Sequence, residues 1–216
     1  ASGIFSDIKL PRKIINQRKY YLENLYDLLD LIVKLKVDND FRFPLNENLK
    51  KDLKQIFKQN QNYVGIAPGA GEKNKVWPIQ NYIEICRYLE SKDFILIFYL
   101  GPNEKEYEEI LKSNFKRAIF LENELLLSKY SNIEIIMAST KFLKFAISND
   151  SGVSHMLSTN YCPLIKLFGP KDSKKFTPKI KNLITISSSE VNSDRVEDIK
   201  VSRVIKTIED MKFINV

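Results

Sequence analysis

The chain has 216 residues, 44% of them apolar and 28% charged, with 34 basic against 27 acidic side chains and a net charge of +7. This length allows one sizeable core or two small ones, the composition excludes an intrinsically disordered chain, and no apolar run reaches the roughly 18–20 residues of a membrane-spanning helix. The positive balance suits anionic partners such as phosphates or an acidic membrane surface, but the lysines are scattered and not interleaved with aromatics, which argues against nucleic acid.

Residues 1–62 read as helical and irregular. Ile14, Ile15, Leu22, Leu25, Tyr26, Leu29, Ile32 and Leu35 recur at helical spacing. Residues 41–45 run extended around Pro44, and 49–57 make another short helix. No strand is expected in this zone, which reads as a connecting segment and not as an independent domain.

From Tyr63 the pattern alternates between strand and helix, so residues 63–216 read as a domain of their own. Strands are expected over 63–67, 94–100, 118–121, 142–148, 163–168 and 183–186. The run 94–100 is unbroken apolar, the mark of a strand covered on both faces. Helices are expected over 78–91, where Pro78 fits the first turn, then 104–113, 131–138, 152–158 and 199–211. Ser131-Asn-Ile-Glu134 reads as a capping box. Ile199, Val201, Val204, Ile205, Ile208 and Met211 form one face of the closing helix. The fold class is therefore α/β: a Rossmann-like, mostly parallel sheet with helices on both faces and right-handed crossovers.

Ligands of such sheets bind beyond the carboxyl ends of the strands, and the Gly- and Asp-rich elements fall there: Pro68-Gly-Ala-Gly71, Gly101-Pro102, Asn149-Asp150 and Gly169-Pro170. The segment Asn149-Asp-Ser-Gly-Val-Ser-His155 runs from a buried strand through a small polar turn into a helix start, which is how an α/β sheet offers backbone N–H groups to an anion. Together these strand ends point to a phosphate-bearing ligand. Neither the Walker spacing nor the dinucleotide G-x-G-x-x-G is present around Gly69, so what remains is a glycine turn followed by Lys73 and Lys75, mobile point charges for phosphate. Asp150, Ser154 and His155 lack the G-x-S-x-G elbow of a serine hydrolase. His155 reads either as a packed structural residue or as a ligand contact, and Glu104 either as a charge complementing a helix dipole or as a carboxylate for ribose hydroxyls. Cys86 and Cys162 have no metal spacing and read as free buried thiols of a reducing compartment. With a single histidine they leave no ordinary zinc set.

The order Pro68-Gly-Ala, Lys75-Val-Trp-Pro78, Gly101-Pro-Asn-Glu104, Ser131-Asn-Ile-Glu134, Asn149-Asp-Ser-Gly-Val-Ser-His155 and Phe168-Gly-Pro-Lys-Asp172, closed by the 199–211 helix, resembles the C-terminal domain of glycosyltransferase family 9, the ADP-heptose:lipopolysaccharide heptosyltransferases. The resemblance spans about residues 63–212 and is most specific at Asn149–His155 with Phe168-Gly-Pro170. It implies one half of a GT-B enzyme, in which this domain binds a nucleotide-sugar donor, normally an ADP-heptose. Lys75 would neutralise donor phosphate. Asp150, Ser151, Gly152 and Val153 would line the pyrophosphate and sugar, with His155 close by. Glu104 would bind ribose and Ser131 would lie near the adenine, with Gly169 and Asp172 completing the donor site. Transfer would be inverting and would use no metal and no cofactor beyond the donor. The acceptor would be lipopolysaccharide core or a related glycan at the cytoplasmic face of the inner membrane, with peripheral membrane association.

Two departures accompany the resemblance. The family's N-terminal acceptor domain, with its glycine turn and the aspartate assigned as general base, has no counterpart here, so the catalytic base is not among these residues. The chain is expected to bind donor without transferring sugar alone, as a fragment or as a product missing its acceptor domain. Lys171 stands where a small polar residue is usual, which leaves the sugar open. The alternatives are a GT-B transferase for another nucleotide sugar and a non-catalytic nucleotide-sugar-binding module.

Overall fold

The computed structural model describes residues 44–177 and 182–211. The helical repeat from Ile14 to Leu35 lies outside the described residues. The chain divides into two compact units, Arg42–Pro170 with Ile180–Val216, and Ala1–Phe41 with Lys171–Lys179. In the smaller unit the described residues form a single helical turn, Ser173–Phe176, capped by Asp172, whose carboxylate accepts from the Lys174 N–H at 2.9 Å.

The larger unit is built on one six-stranded parallel sheet in the order β3-β2-β1-β4-β5-β6. Its strands are β1 Asn62–Ala67, β2 Phe94–Phe98, β3 Ile119–Phe120, β4 Leu143–Asn149, β5 Leu164–Phe168 and β6 Leu183–Ser187. Every residue of β2 and β5 is buried, as expected where helices cover both faces of a parallel sheet. The sequence places all six strands. β2 ends two residues early, and β3 is reduced to Ile119–Phe120 before the chain turns into a 3₁₀ segment, Leu121–Asn123.

Alternation along the strands sorts the core into two layers. On one face Val64, Ile66, Leu96, Phe98, Phe145, Ile147, Ile165 and Leu167 meet α2 (Ile79–Ser91) and α6 (Val201–Asp210) through Tyr82, Cys86, Leu89, Val204 and Ile208. On the other, Tyr63, Ile95, Ile97, Leu143, Ala146 and Leu164 meet α1 (Glu47–Ile56), α4 (Asn132–Ser139) and α5 (Gly152–Leu157). The remaining helix, α3, is Lys105–Asn114. Cys86 and Cys162 are buried free thiols.

Helix α1, in the stretch read as a connecting segment, belongs to this core. Asn46 starts it by accepting from Asn48 N at 3.0 Å. It buries Leu49 and Leu53, and Phe57 stacks on Phe142 with ring centroids 4.7 Å apart. Asp52 on its outer face is tied to Tyr130 Oη at 2.8 Å and Lys129 Nζ at 2.9 Å. The folded unit thus begins upstream of Tyr63. Among the described residues no helix is long and apolar enough to cross a membrane.

Candidate functional site

In this strand order β1 is flanked by β2 on one side and β4 on the other. The connections leaving β1 and β4 diverge, and a crevice opens between them at the carboxyl edge. A cavity of about 240 Å³ lies at that edge. Its wall is formed by Gly69, Ala70 and Gly71 after β1, by Tyr99, Gly101, Asn103 and Glu104 after β2, and by Ser151, Gly152, Val153 and Met156 after β4. Of the residues expected to hold the donor, Glu104, Ser151, Gly152 and Val153 line it, together with the glycine turns Gly69–Gly71 and Gly101.

The glycine turn and Glu104 fit each other. Glu104 is only 8% exposed, and its Oε2 accepts from the Gly101 N–H at 2.7 Å. A Cβ added to Gly69 would lie 2.4 Å from Glu104 Oε1, so the backbone of the turn reaches the carboxylate only because no side chain intervenes. Glu104 therefore both secures the turn before α3 and presents a fixed carboxylate to the cavity. Ser151 starts α5: its Oγ accepts from Ser154 N at 3.4 Å, and Ser154 Oγ donates back to the Ser151 carbonyl at 2.6 Å. A Cβ on Gly152 would meet nothing within 4 Å, so the first turn of α5 is open to the cavity.

Beside that turn stands a charged cluster centred on Asp150, which is 8% exposed. Lys166 Nζ, from the middle of β5, approaches Asp150 Oδ1 at 2.7 Å, and Lys75 Nζ approaches Oδ2 at 3.6 Å. Lys75 also pairs with Glu72 at 2.8 Å. Lys166 is 1% exposed, and its ammonium sits over the Phe168 ring, 4.7 Å from the centroid. Burial pushes the Lys166 ammonium below the usual lysine range, Asp150 opposes this, and the charge of Lys75 reinforces it. Burial also acts to lower Lys75, but Glu72 and Asp150 outweigh it and the net shift is upward. His155 has an exposed side chain, yet its imidazole is held below its usual value, first by partial desolvation and then by the charge of Lys166, with Asp150 opposing. Lys75, Asp150 and His155 are thus one electrostatic group, joined by a lysine that sequence reasoning passed over. The signal for Lys166 was a lone cation inside the apolar run Leu164-Ile-Lys-Leu-Phe168.

Asn149, fully buried, is the second such residue. Its Oδ1 accepts from Trp77 N at 3.2 Å and Tyr82 Oη at 3.0 Å, and its Nδ2 donates to the Pro68 carbonyl at 2.6 Å. It ties the loops after β1 and β4 together beneath the crevice. Trp77 Nε1 in turn donates to the Ile199 carbonyl at 2.9 Å, so the Lys-Val-Trp-Pro element is anchored by its aromatic and leaves Lys75 to the charged cluster.

Three expected positions have other surroundings. Ser131 makes the capping box of α4: its Oγ accepts from Glu134 N at 3.3 Å, and Glu134 Oε2 accepts from the Ser131 N–H at 3.0 Å. Gly169 is buried against Val196 and Asn74, where a Cβ would come within 3.0 Å of Val196 N and 3.2 Å of the Asn74 carbonyl, so its place in the chain is explained by close packing. Asp172 belongs to the smaller unit, where it caps the turn described above. Among the described residues no group of three His, Cys, Asp or Glu side chains is arranged to hold a metal ion.

Residues 12–203 match glycosyltransferase family 9 (heptosyltransferase), a match that begins well before Tyr63. Lipopolysaccharide heptosyltransferase 1 of Campylobacter coli is 29% identical over 197 residues, which cover 88% of this chain and 55% of that protein. Lipopolysaccharide heptosyltransferase 2 of Escherichia coli (strain K12) is 27% identical over 122 residues, 55% of this chain and 34% of that protein. The chain thus spans about half the length, or less, of these curated relatives. The glycosyl transferase family 9 structure from Veillonella parvula DSM 2008 aligns with a TM-score of 0.77 at 16% identity, covering 94% of this chain and 62% of that one. The E. coli heptosyltransferase WaaC with ADP-2-deoxy-2-fluoro heptose aligns with a TM-score of 0.65 at 17% identity, covering 91% and 57%. At these identities the structural likeness concerns the fold. The fold, the ordered motifs and the family match converge on one conclusion: the chain belongs to glycosyltransferase family 9, the heptosyltransferase family.

Proposed function

We propose that this chain is the donor-binding half of a GT-B glycosyltransferase. It takes an ADP-heptose-type nucleotide sugar at the switch-point cavity for inverting, metal-independent transfer to lipopolysaccharide core or a related glycan. The carrying observation is the cavity itself, where a fixed carboxylate, a glycine turn and the open first turn of α5 meet at the carboxyl edge beside the Asp150 cluster. At about 240 Å³ it is smaller than the roughly 300–1,000 Å³ of an enclosing ligand site. That suits one wall of a cleft whose other wall is an acceptor domain carrying the catalytic base.

In this reading Glu104 accepts hydrogen bonds from ribose hydroxyls. The backbone N–H groups of Gly152 and Val153 face the diphosphate, and Lys75 exchanges the Glu72 carboxylate for a phosphate oxygen. His155 adds a proton donor as the anion raises its basicity. When the glycosidic bond breaks, charge develops on the leaving diphosphate, and fixed N–H groups with a nearby ammonium stabilise it most in the transition state. Ser131 lies toward the adenine and Gly169 toward the donor. The net charge of +7 suits an anionic acceptor and peripheral attachment at the cytoplasmic face of the inner membrane.

Thermal unfolding with saturating ADP, GDP and UDP tests the donor. A ligand at about 100 times its dissociation constant stabilises by about 2.7 kcal/mol, a shift of roughly 5–10 °C for a domain of this size. A shift with ADP alone is expected. A shift with UDP or GDP instead would move the chain to another nucleotide sugar, and no shift with any would count against the donor site.

A further inference from the structure

We infer that Lys166 is a positioning residue of the donor site, which neutralises Asp150 from beneath so that Lys75 is released to the anionic ligand. The inference rests on the donor-site reading above and adds to it a residue that contacts no ligand.

The argument begins with position. Lys166 lies in the middle of β5, level with Ser148 on β4 and Thr185 on β6, and is 1% exposed. An ammonium there is costly, because a buried cation loses its hydration and an isosteric apolar residue is often as stable or more so. Its surroundings offer little compensation beyond one anion. Its nitrogen meets Asp150 Oδ1 at 2.7 Å as an ion pair and the Phe168 ring at 4.7 Å, and among the described residues it has no hydrogen bond of good geometry. The site of this cost is the base of the Asn149–His155 turn, the segment that faces the crevice.

The second step is the division of the Asp150 carboxylate. Lys166 holds Oδ1 closely, while Lys75 stands off Oδ2 at 3.6 Å and makes its short contact, 2.8 Å, with the more exposed Glu72. Asp150 is thus held by two ammonium groups, one of which, Lys75, it shares with Glu72. Remove Lys166 and two things follow. The cluster gains a net negative charge beside the place proposed for a diphosphate, and Asp150, left with no buried partner, draws Lys75 onto itself. Both changes oppose an anion. Neither bears on an uncharged ligand.

The test compares the purified chain with K166M and with D150N/K166M, titrating ADP and, separately, adenosine. K166M is expected to weaken ADP by at least about ten-fold, equivalent to about 1.4 kcal/mol, while adenosine binding changes little. D150N/K166M removes both charges at once, keeps the backbone of the turn, and is expected to recover most of the lost ADP affinity. Should K166M fail to fold, the double variant carries the test: the account requires it to bind ADP to within a few-fold of wild type. Equal losses for ADP and adenosine would show that Lys166 is merely structural and overturn the inference. So would wild-type ADP affinity in K166M, or no recovery in the double variant. A wild-type chain that binds adenosine but gains nothing from the phosphates overturns it too. Failure of the wild type to bind either ligand would overturn the donor-site reading and this inference with it.

Discussion

The carboxylate of Glu104 occupies the space that a side chain at Gly69 would need, with Oε1 2.4 Å from where a Cβ would stand. Two loops, one following β1 and one following β2, are thereby fitted to each other at the crevice. Gly69→Ala must push Glu104 aside and strain its bond to the Gly101 N–H. The expected result is an ADP affinity lowered by about five- to twenty-fold, or about 1–2 kcal/mol, with a smaller change in stability. Lys54→Ala, at an exposed position of α1, is the control and should change neither quantity. Calorimetric titration of both variants decides it, and equal affinities in the two would contradict the role given to Glu104.

Asn149 secures the same crevice from below. With its three partners on Trp77, Tyr82 and Pro68, Asn149→Leu leaves buried donors and acceptors unpaired at about 1–3 kcal/mol each. A total loss of about 3–5 kcal/mol is expected in urea unfolding. A change under about 0.5 kcal/mol, the range of an ordinary surface substitution, would mean that the loops hold together without it.

Helix α1 is an integral part of the larger unit, because Leu53 is fully buried in the same core as Tyr63 and Leu143. Leu53→Ala is expected to cost about 2–5 kcal/mol, read as a fall in melting temperature. If the boundary instead lay at residue 63, the substitution would leave the melting of the sheet unchanged.

His155 offers a proton-linked observation. Its folded-state basicity lies below the ordinary histidine value, so the unfolded chain takes up its proton first as pH falls. Its contribution to stability is therefore fully present above the ordinary value near pH 6.5 and is lost as pH falls through it toward the lowered folded value. His155→Asn should remove that slope. Titration of the imidazole by NMR is expected to show a midpoint below about 6.5 in the free protein, moving upward with ADP as the diphosphate favours the charged ring. A midpoint that does not respond to ADP would separate His155 from the ligand.

Much of this architecture is legible in the sequence because it rests on local chemistry. The apolar run 94–100 marks a strand covered on both sides, which the fold forms over Phe94–Phe98. Ser131 and Glu134 form their capping box with no help from the rest of the chain, and Pro78 stands at the start of α2. Glu104 and the Ser151–Val153 turn are found at the crevice because strand ends in a parallel sheet all point to one edge. What the sequence hides depends on distant partners. Lys166 looks like an interruption of a strand until Asp150 is placed above it, and nothing local reveals that Asn149 joins Trp77, Tyr82 and Pro68. Gly169 reads as a ligand-facing glycine, whereas Val196 and Asn74 crowd it. Asp172 follows Phe-Gly-Pro in the chain but falls in the smaller unit, a division that tertiary contacts make and local pattern cannot.

The most direct test of the central claim is a map of where ADP acts on the labelled chain, read from backbone amide shifts during titration. The account expects the largest changes at Gly69–Gly71, at Gly101–Glu104 and at Ser151–Val153, with smaller ones at Lys75 and His155. Saturable changes confined to other surfaces, such as the groove between Ile186, Val191 and Lys206, would contradict it, and so would the absence of any saturable change.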